Sequence, residues 1–566
     1  MKKWLNHPVF VLSAVSFVVF FTHMDTLLVN IMEARNFITA REMIQDGHWL
    51  LTTINGEARY QKPPLPTWLT AWSALIFGIK NVAALRLPAA IMGLFTVLMT
   101  YALALKLTRN KIYAMISGLI LTTSFYIVFA GRNGQWDIFT HGFMMGAIYC
   151  LHELFNRPKR WYVYAVLTGL FLGASFMSKG PVSVYALFLP YIIALLIQKR
   201  YSGVRQRWLP LLVGGLIAIV FSSWWHLYIN TYDGETLAQI TKKETANWTS
   251  YNVKPFYYYW SFFIQSGLWT ILALVSLFYG YLKSRVSDQK AYALVFWWTI
   301  SAVVLLSLIP EKKPRYLLPV LIPLALTTGF YMEYVLTQYN KMTRLERFPV
   351  YLHFAILGAI CLAFPIGGYL YLDVALTGYY FWFFALSGAL LLIGIVLFWA
   401  LTKRRMWIAF YGSIALILAI ISIGLPLSPV LSLNPNYVPL SELHQWQDKE
   451  DLPVYEFGGF TPEMIWDYGR PIPGLLKDGV FKMPQEARFG VLVSQEQLDH
   501  FTQRFSAYTV TKVKRYDMNP QAQGQRMHRP RLWRDFFVIE QSPNTRPSDG
   551  AHTAEVGKKQ DQEAPQ

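Results

Sequence analysis

This sequence has little charge and almost no thiol. Only 15% of its 566 residues are Asp, Glu, Lys or Arg, against roughly a quarter in an ordinary soluble chain. That shortage excludes a soluble globular enzyme, a disordered chain and a fibre. The two cysteines, Cys150 and Cys361, both lie inside apolar runs, which excludes a disulfide framework and a cysteine-based metal site. The sequence has no Walker-type glycine loop, no His/Cys metal spacing and no nucleophile elbow. Hydrophobic residues make up 54% of the chain and aromatics 16%. Long apolar runs need lipid as their solvent, so the composition points to a polytopic α-helical membrane protein.

Acidic residues are the scarcer charge, 33 against 51 basic, for a net of +18. Residues from 430 onward contribute −2 to that balance and the preceding part +20. The basic excess therefore belongs to the membrane part. Topology and an anionic lipid substrate explain it better than nucleic-acid binding does.

Thirteen apolar runs are visible, at about 9–21, 83–105, 112–130, 138–155, 162–178, 181–198, 208–229, 256–282, 291–309, 316–337, 349–371, 379–402 and 407–427. Each is near the ~20 residues that cross a bilayer core. A signal peptide is the competing reading of the first, but no small-residue cleavage site follows it. With a cytoplasmic N-terminus, the inner loops hold 21 basic residues and every inner loop has at least two. The alternation is unbroken and supports thirteen spans with the C-terminus outside. Fourteen basic residues and most acidic residues of the membrane part then fall on the outer side. Some are snorkelling helix ends; the rest suit a lipid phosphate. The chemistry is expected outside.

The first outer loop is long, and within it Ile31–Gln45 reads as a helix lying along the interface. Thr67–Ile79 is a candidate for a second, and 230–255 reads as a long polar loop. Residues 1–430 are expected to form the membrane domain and 431–541 a small α/β or α+β domain, with strands near Val454–Phe457, Phe489–Val493 and Tyr508–Val513 and a helix near Ser494–Arg504. The Pro-, Ser- and Gly-rich stretch 542–566 is expected to be disordered.

Six constellations could carry chemistry, and several have a plain alternative. Glu33, in Met32-Glu33-Ala34-Arg35, opens the interface helix, where a capping charge is equally natural. Asp137, with Arg132 before it and His141 one turn after, sits at the outer end of the fourth run. An acid at the membrane boundary is costly unless used or paired, and an Arg132–Asp137 pair that merely fixes the loop is the alternative. Arg59-Tyr60-Gln61-Lys62-Pro63-Pro64 is stiff enough to hold Tyr60 and Lys62 against a partner, or to act as a spacer. Ser178-Lys179-Gly180-Pro181 is a tight outer turn. Lys312-Lys313-Pro314-Arg315-Tyr316 is a candidate phosphate clamp. Lys242-Lys243-Glu244 precedes an aromatic run that reads as an interface belt.

In order along the chain, these motifs resemble the membrane-embedded C-type glycosyltransferases of the protein O-mannosyltransferase class, and within it the lipid A aminoarabinose transferase group. The resemblance covers about residues 5–430. It implies transfer of a sugar from a polyprenyl-phosphate carrier to an acceptor outside a bacterial inner membrane, with the N-terminus cytoplasmic and the C-terminal domain periplasmic. The acceptor would be lipid A or an exported protein; an anionic-lipid transporter is the alternative from another class. By resemblance, Glu33 and Asp137 are the active-site carboxylates. Tyr60, Lys62, Lys179, Lys243, Lys313, Arg315 and Tyr316 hold the donor phosphate, and Arg35, Arg132 and His141 support them. No metal or further cofactor is implied, because the basic clusters can supply the positive charge. The family commonly has an Asp-Glu pair where this chain has Met32-Glu33, which bears on the acceptor more than on the fold.

Overall fold

A computed structural model describes residues 7–540 apart from 157, 200–204, 433, 460 and 478–479. The expected disordered tail from 542 lies outside the described residues. By internal contacts the chain divides into two units, one of Met1–Leu27, Met43–Thr52 and Ala58–Ser428, the other of Leu28–Glu42, Thr53–Glu57 and Pro429–Gln566.

In chain order the elements begin with α1 (Pro8–Phe21), α2 (Ile31–Gln45), the short strands β1 (Thr53–Ile54) and β2 (Glu57–Ala58), and α3 (Leu65–Phe77). The helices α4 (Val82–Thr108), α5 (Lys111–Thr122), α6 (Phe125–Gly131), α7 (Asp137–Asn156), α8 (Trp161–Lys179), α9 (Leu189–Ile197) and α10 (Trp208–Ser250) follow. Then come α11 (Thr270–Ser276), α12 (Tyr279–Leu282), α13 (Gln289–Leu308), α14 (Leu318–Gln338), α15 (Arg344–Leu372), α16 (Tyr380–Thr402) and α17 (Met406–Ala419). Side chains satisfy the free amides that open several of these helices. Asn110 accepts from the amides of Ile112 and Tyr113, Asp288 accepts from Ala291, and Thr343 and Glu346 form a reciprocal box at the start of α15.

The protein is a multi-pass membrane protein. All thirteen apolar runs fall on helical segments, but the count of thirteen spans does not follow from that. Among the described residues, nine helices are long and apolar enough to cross a membrane, or ten if α5 and α6, bent by 68°, form one broken span. The first run and the one at Val184–Ile197 form shorter apolar helices, and α7 carries Asp137, His141 and Glu153. The expected loop 230–255 is helical as far as Ser250, because α10 runs on past a non-helical residue, Asp233. That stretch is polar but rich in good helix formers, and polarity alone does not end a helix.

In the second unit α18 (Ser441–Glu450), β3 (Val454–Phe457), α19 (Pro462–Tyr468), β4 (Leu476–Lys477), β5 (Val480–Phe481), β6 (Arg488–Val493), α20 (Leu498–Arg504), β7 (Thr509–Asp517) and β8 (Trp533–Glu540) follow one another. The main sheet has the order β3-β6-β8-β7. Its β3 and β6 are parallel and its other pairs antiparallel. Side chains alternate between two cores. Phe489, Val491, Val493, Phe537 and Ile539 join Phe501 and Phe505 on one face. Leu492, Phe536 and Val538 join Leu443, Met464 and Ile465 on the other. Arg534 pairs with the buried Glu456 through two bonds of 3.0 and 2.8 Å.

Candidate active site

The first unit brings three of the basic motifs, those of Lys62, Lys179 and Arg315, toward one carboxylate. A turn after α6 leads into α7, and Asp137 is the first residue of that helix, where the helix dipole favours an acid. Lys179 is the last residue of α8, where the dipole favours a cation. The two form a hydrogen-bonded ion pair with both side chains buried. One turn into α7, His141 Nδ1 lies 3.0 Å from Ser183 Oγ. Arg132 does not pair with Asp137. Its guanidinium donates to the carbonyls of Val19 (2.6 Å), Thr22 (2.6 Å) and His23 (2.9 Å), so it closes the C-terminal end of α1.

Before α3, the Tyr60 hydroxyl donates to Asp233 Oδ2 over 2.8 Å. Burial and this carboxylate push the Tyr60 hydroxyl well above its ordinary pKa. Lys62 Nζ lies 4.0 Å from Glu244 on the α10 extension. Burial, with Lys179 nearby, brings Lys62 down to about 8 despite Glu244. The segment before α14 adds a third group. Lys313 pairs with Glu311 at 3.1 Å, and its ammonium stands 4.6 Å over the Tyr251 ring. The Tyr316 hydroxyl donates to Glu311 over 2.9 Å. Lys179 Nζ is 5.7 Å from the centre of the Tyr316 ring, and the Arg315 guanidinium is 5.9 Å from the same centre. Lys312 serves the loop instead, donating to the carbonyls of Lys254 (3.0 Å) and Ile309 (2.6 Å).

These cations are not equivalent. Lys179 is committed to Asp137, Lys313 to Glu311, and Lys62 loosely to Glu244. Among the described residues Arg315 makes no ion pair, and its buried Nε has no hydrogen-bond partner. Such an arrangement suits an anion that Arg315 receives and the neighbouring lysines complete. Lys243 is exposed on α10 and joins none of these contacts.

Glu33 belongs to the other unit. It is buried near the start of α2. Asn30 Oδ1 accepts from the amides of Met32 (3.0 Å) and Glu33 (3.3 Å). Glu33 Oε2 in turn accepts from Asn30 Nδ2 (2.9 Å) and from the Asn30 amide (3.3 Å). The capping bonds foreseen as the plain alternative are thus present. Arg35 is half-buried on the same helix.

Sequence reasoning gave no role to Asp233, Glu244 and Glu311, the acids that hold Tyr60, Lys62, Lys313 and Tyr316. For Glu244 and Glu311 the available signal was an acid inside a basic motif, as in Lys242-Lys243-Glu244 and Pro310-Glu311-Lys312-Lys313; Asp233 has no basic neighbours in sequence.

Residues 61–226 match the family of dolichyl-phosphate-mannose-protein mannosyltransferases, a window that contains Lys62, Asp137 and Lys179. An uncharacterized protein of Aquifex aeolicus is 24% identical over 75% of this chain and 79% of its own length. The undecaprenyl phosphate-alpha-4-amino-4-deoxy-L-arabinose arabinosyl transferase of Pectobacterium atrosepticum is 25% identical over 77% of this chain and 79% of its own. Against other relatives of that name the chain spans about half of their length. Among solved structures, ArnT from Cupriavidus metallidurans bound to undecaprenyl phosphate superposes with a TM-score of 0.65 at 16% identity, over 95% of this chain and 99% of that one. That likeness establishes the fold. The family match over residues 61–226, the relatives and the shared fold together make the chain similar to the ArnT-like membrane glycosyltransferases of the C-type fold.

Proposed function

We propose that the protein transfers a sugar from a polyprenyl-phosphate donor to an acceptor on the outer face of a bacterial inner membrane, and that the sugar is of the aminoarabinose type and the acceptor a lipid A phosphate. The N-terminus is then cytoplasmic and the second unit periplasmic. One observation carries the reading: Arg315, which makes no ion pair among the described residues, stands with Lys62, Lys313, Tyr316 and the Asp137–Lys179 pair in one cluster.

In the reaction the bond between sugar C1 and the phosphate oxygen breaks. Charge grows on the departing phosphate, and Arg315, Lys62 and Lys313 are fixed cations in a water-poor site, where such stabilisation is largest. Tyr60 and Tyr316 are held rigid by Asp233 and Glu311 and line the phosphate. Lys179 and Lys243 are the remaining donor-side cations of the proposal, the former through its bond to Asp137. A lipid A phosphate is already an anionic nucleophile, so Asp137 and Glu33 orient the sugar and acceptor rather than remove a proton. A protein hydroxyl would need one of them as general base.

The test is transfer from an undecaprenyl-phosphate aminoarabinose donor by the purified protein, with lipid A or an exported protein as acceptor. A pentosamine increment on lipid A phosphate is expected. Glycosylated protein with unmodified lipid A would move the acceptor to protein.

A further inference from the structure

The reaction gives the C-terminal domain no part, yet that domain encloses a helix from nearly four hundred residues upstream. Ile38 of α2 is fully buried in its core among Leu443, Ile465 and Phe536. Beside it Phe37 packs edge-on against Trp466, with ring centres 5.3 Å apart. Arg41 donates to the carbonyl of Ile465 over 3.4 Å. The turn between β1 and β2 adds a second tie. Asn55 donates to the carbonyl of Ile472 over 2.8 Å and accepts from the amide of Ile472 over 2.7 Å. That turn is itself bound to α2, because Glu42 accepts from the Thr53 hydroxyl (2.6 Å) and from the amides of Asn55 (2.6 Å) and Gly56 (3.3 Å).

An isolated helix of this length is marginal in water, and α2 mixes apolar and polar residues about equally, so its order must come from packing. Glu33 lies one turn before Phe37 on the same helical face. We propose that the C-terminal domain is the clamp that holds α2, and that Phe37, Ile38, Asn55 and Trp466 are positioning residues for Glu33. The consequence for transfer rests on the proposed function, in which Glu33 orients substrate; the clamp itself does not. A displacement of about 1 Å in a group that orients reactants can cost on the order of a hundredfold in rate.

The experiment uses the full-length protein in detergent. Hydrogen exchange of residues 31–42 is compared between the native chain and Asn55→Ala, which deletes both bonds to Ile472. Exchange about tenfold faster in that segment is expected; unchanged exchange overturns the clamp. Turnover is then measured for Asn55→Ala and Phe37→Ala, alone and combined with Glu33→Gln. Each single variant should lose about tenfold or more in kcat at unchanged donor KM, and should add no loss in the Glu33→Gln background. Trp466→Phe, which keeps a ring against Phe37, should keep most of the activity. Losses that multiply with Glu33→Gln, or a donor KM that rises with them, would overturn the positioning role. If the native protein transfers no sugar at all, the proposed function falls, and hydrogen exchange still decides the clamp.

Discussion

Asp137 and Lys179 are 42 residues apart and meet because one begins a helix and the other ends the next. Both charges sit where helix dipoles favour them, and each is the counter-ion that makes the other's burial affordable in free energy. The sequence offered Arg132 as the partner of Asp137 on proximity alone. Arg132 instead satisfies carbonyls at the end of α1. Candidate cations were legible one by one; their hierarchy was not, because it depends on which acids the fold delivers beside them. Lys62 carries a pH dependence of its own. Its pKa of about 8 means that it is charged below that pH and loses its proton above it. Donor KM measured from pH 7 to pH 9 should therefore rise across about pH 8, and Lys62→Met should raise KM at all pH values and flatten the rise. A profile with the same inflection in Lys62→Met would assign it to another group.

At the scale of elements, apolar runs locate the helices well, since thirteen runs fall on helical segments. They do not set how many cross the membrane, because short helices and the bent α5–α6 pair escape a length rule. The α10 extension lacks the apolarity that marks a helix in the sequence, yet it carries Asp233 and Glu244, the anchors of Tyr60 and Lys62. Helix contacts also depend on what is missing. A Cβ on Gly169 would lie 2.5 Å from the carbonyl oxygen of Gly214, so α8 and α10 approach each other backbone to backbone, as small residues allow in membranes. Gly169→Ala should force these helices apart and cost about 1–3 kcal/mol, seen as a lower thermal midpoint in detergent. Gly215→Ala, where a Cβ meets nothing within 4 Å, is the control and should leave the midpoint in place.

At the scale of the whole molecule, the sequence divides into a basic membrane part and a near-neutral C-terminal part. Structure adds that the second unit takes Leu28–Glu42 and Thr53–Glu57 from between α1 and α3. No local pattern could reveal that, because Ile38 reads as an ordinary helix residue until its partners beyond residue 440 are known. Strand β8 escaped for a related reason. With both faces covered, Phe536–Ile539 is a short continuous apolar run rather than an alternation. The central claim is that the cluster around Asp137 is where sugar leaves a polyprenyl phosphate. It is tested most directly by the rate at which purified protein releases undecaprenyl phosphate from the aminoarabinose-bearing donor in the presence of lipid A, native chain against Asp137→Asn. The expected result is steady release by the native protein and none by a well-folded Asp137→Asn. Equal rates from the two would contradict the account.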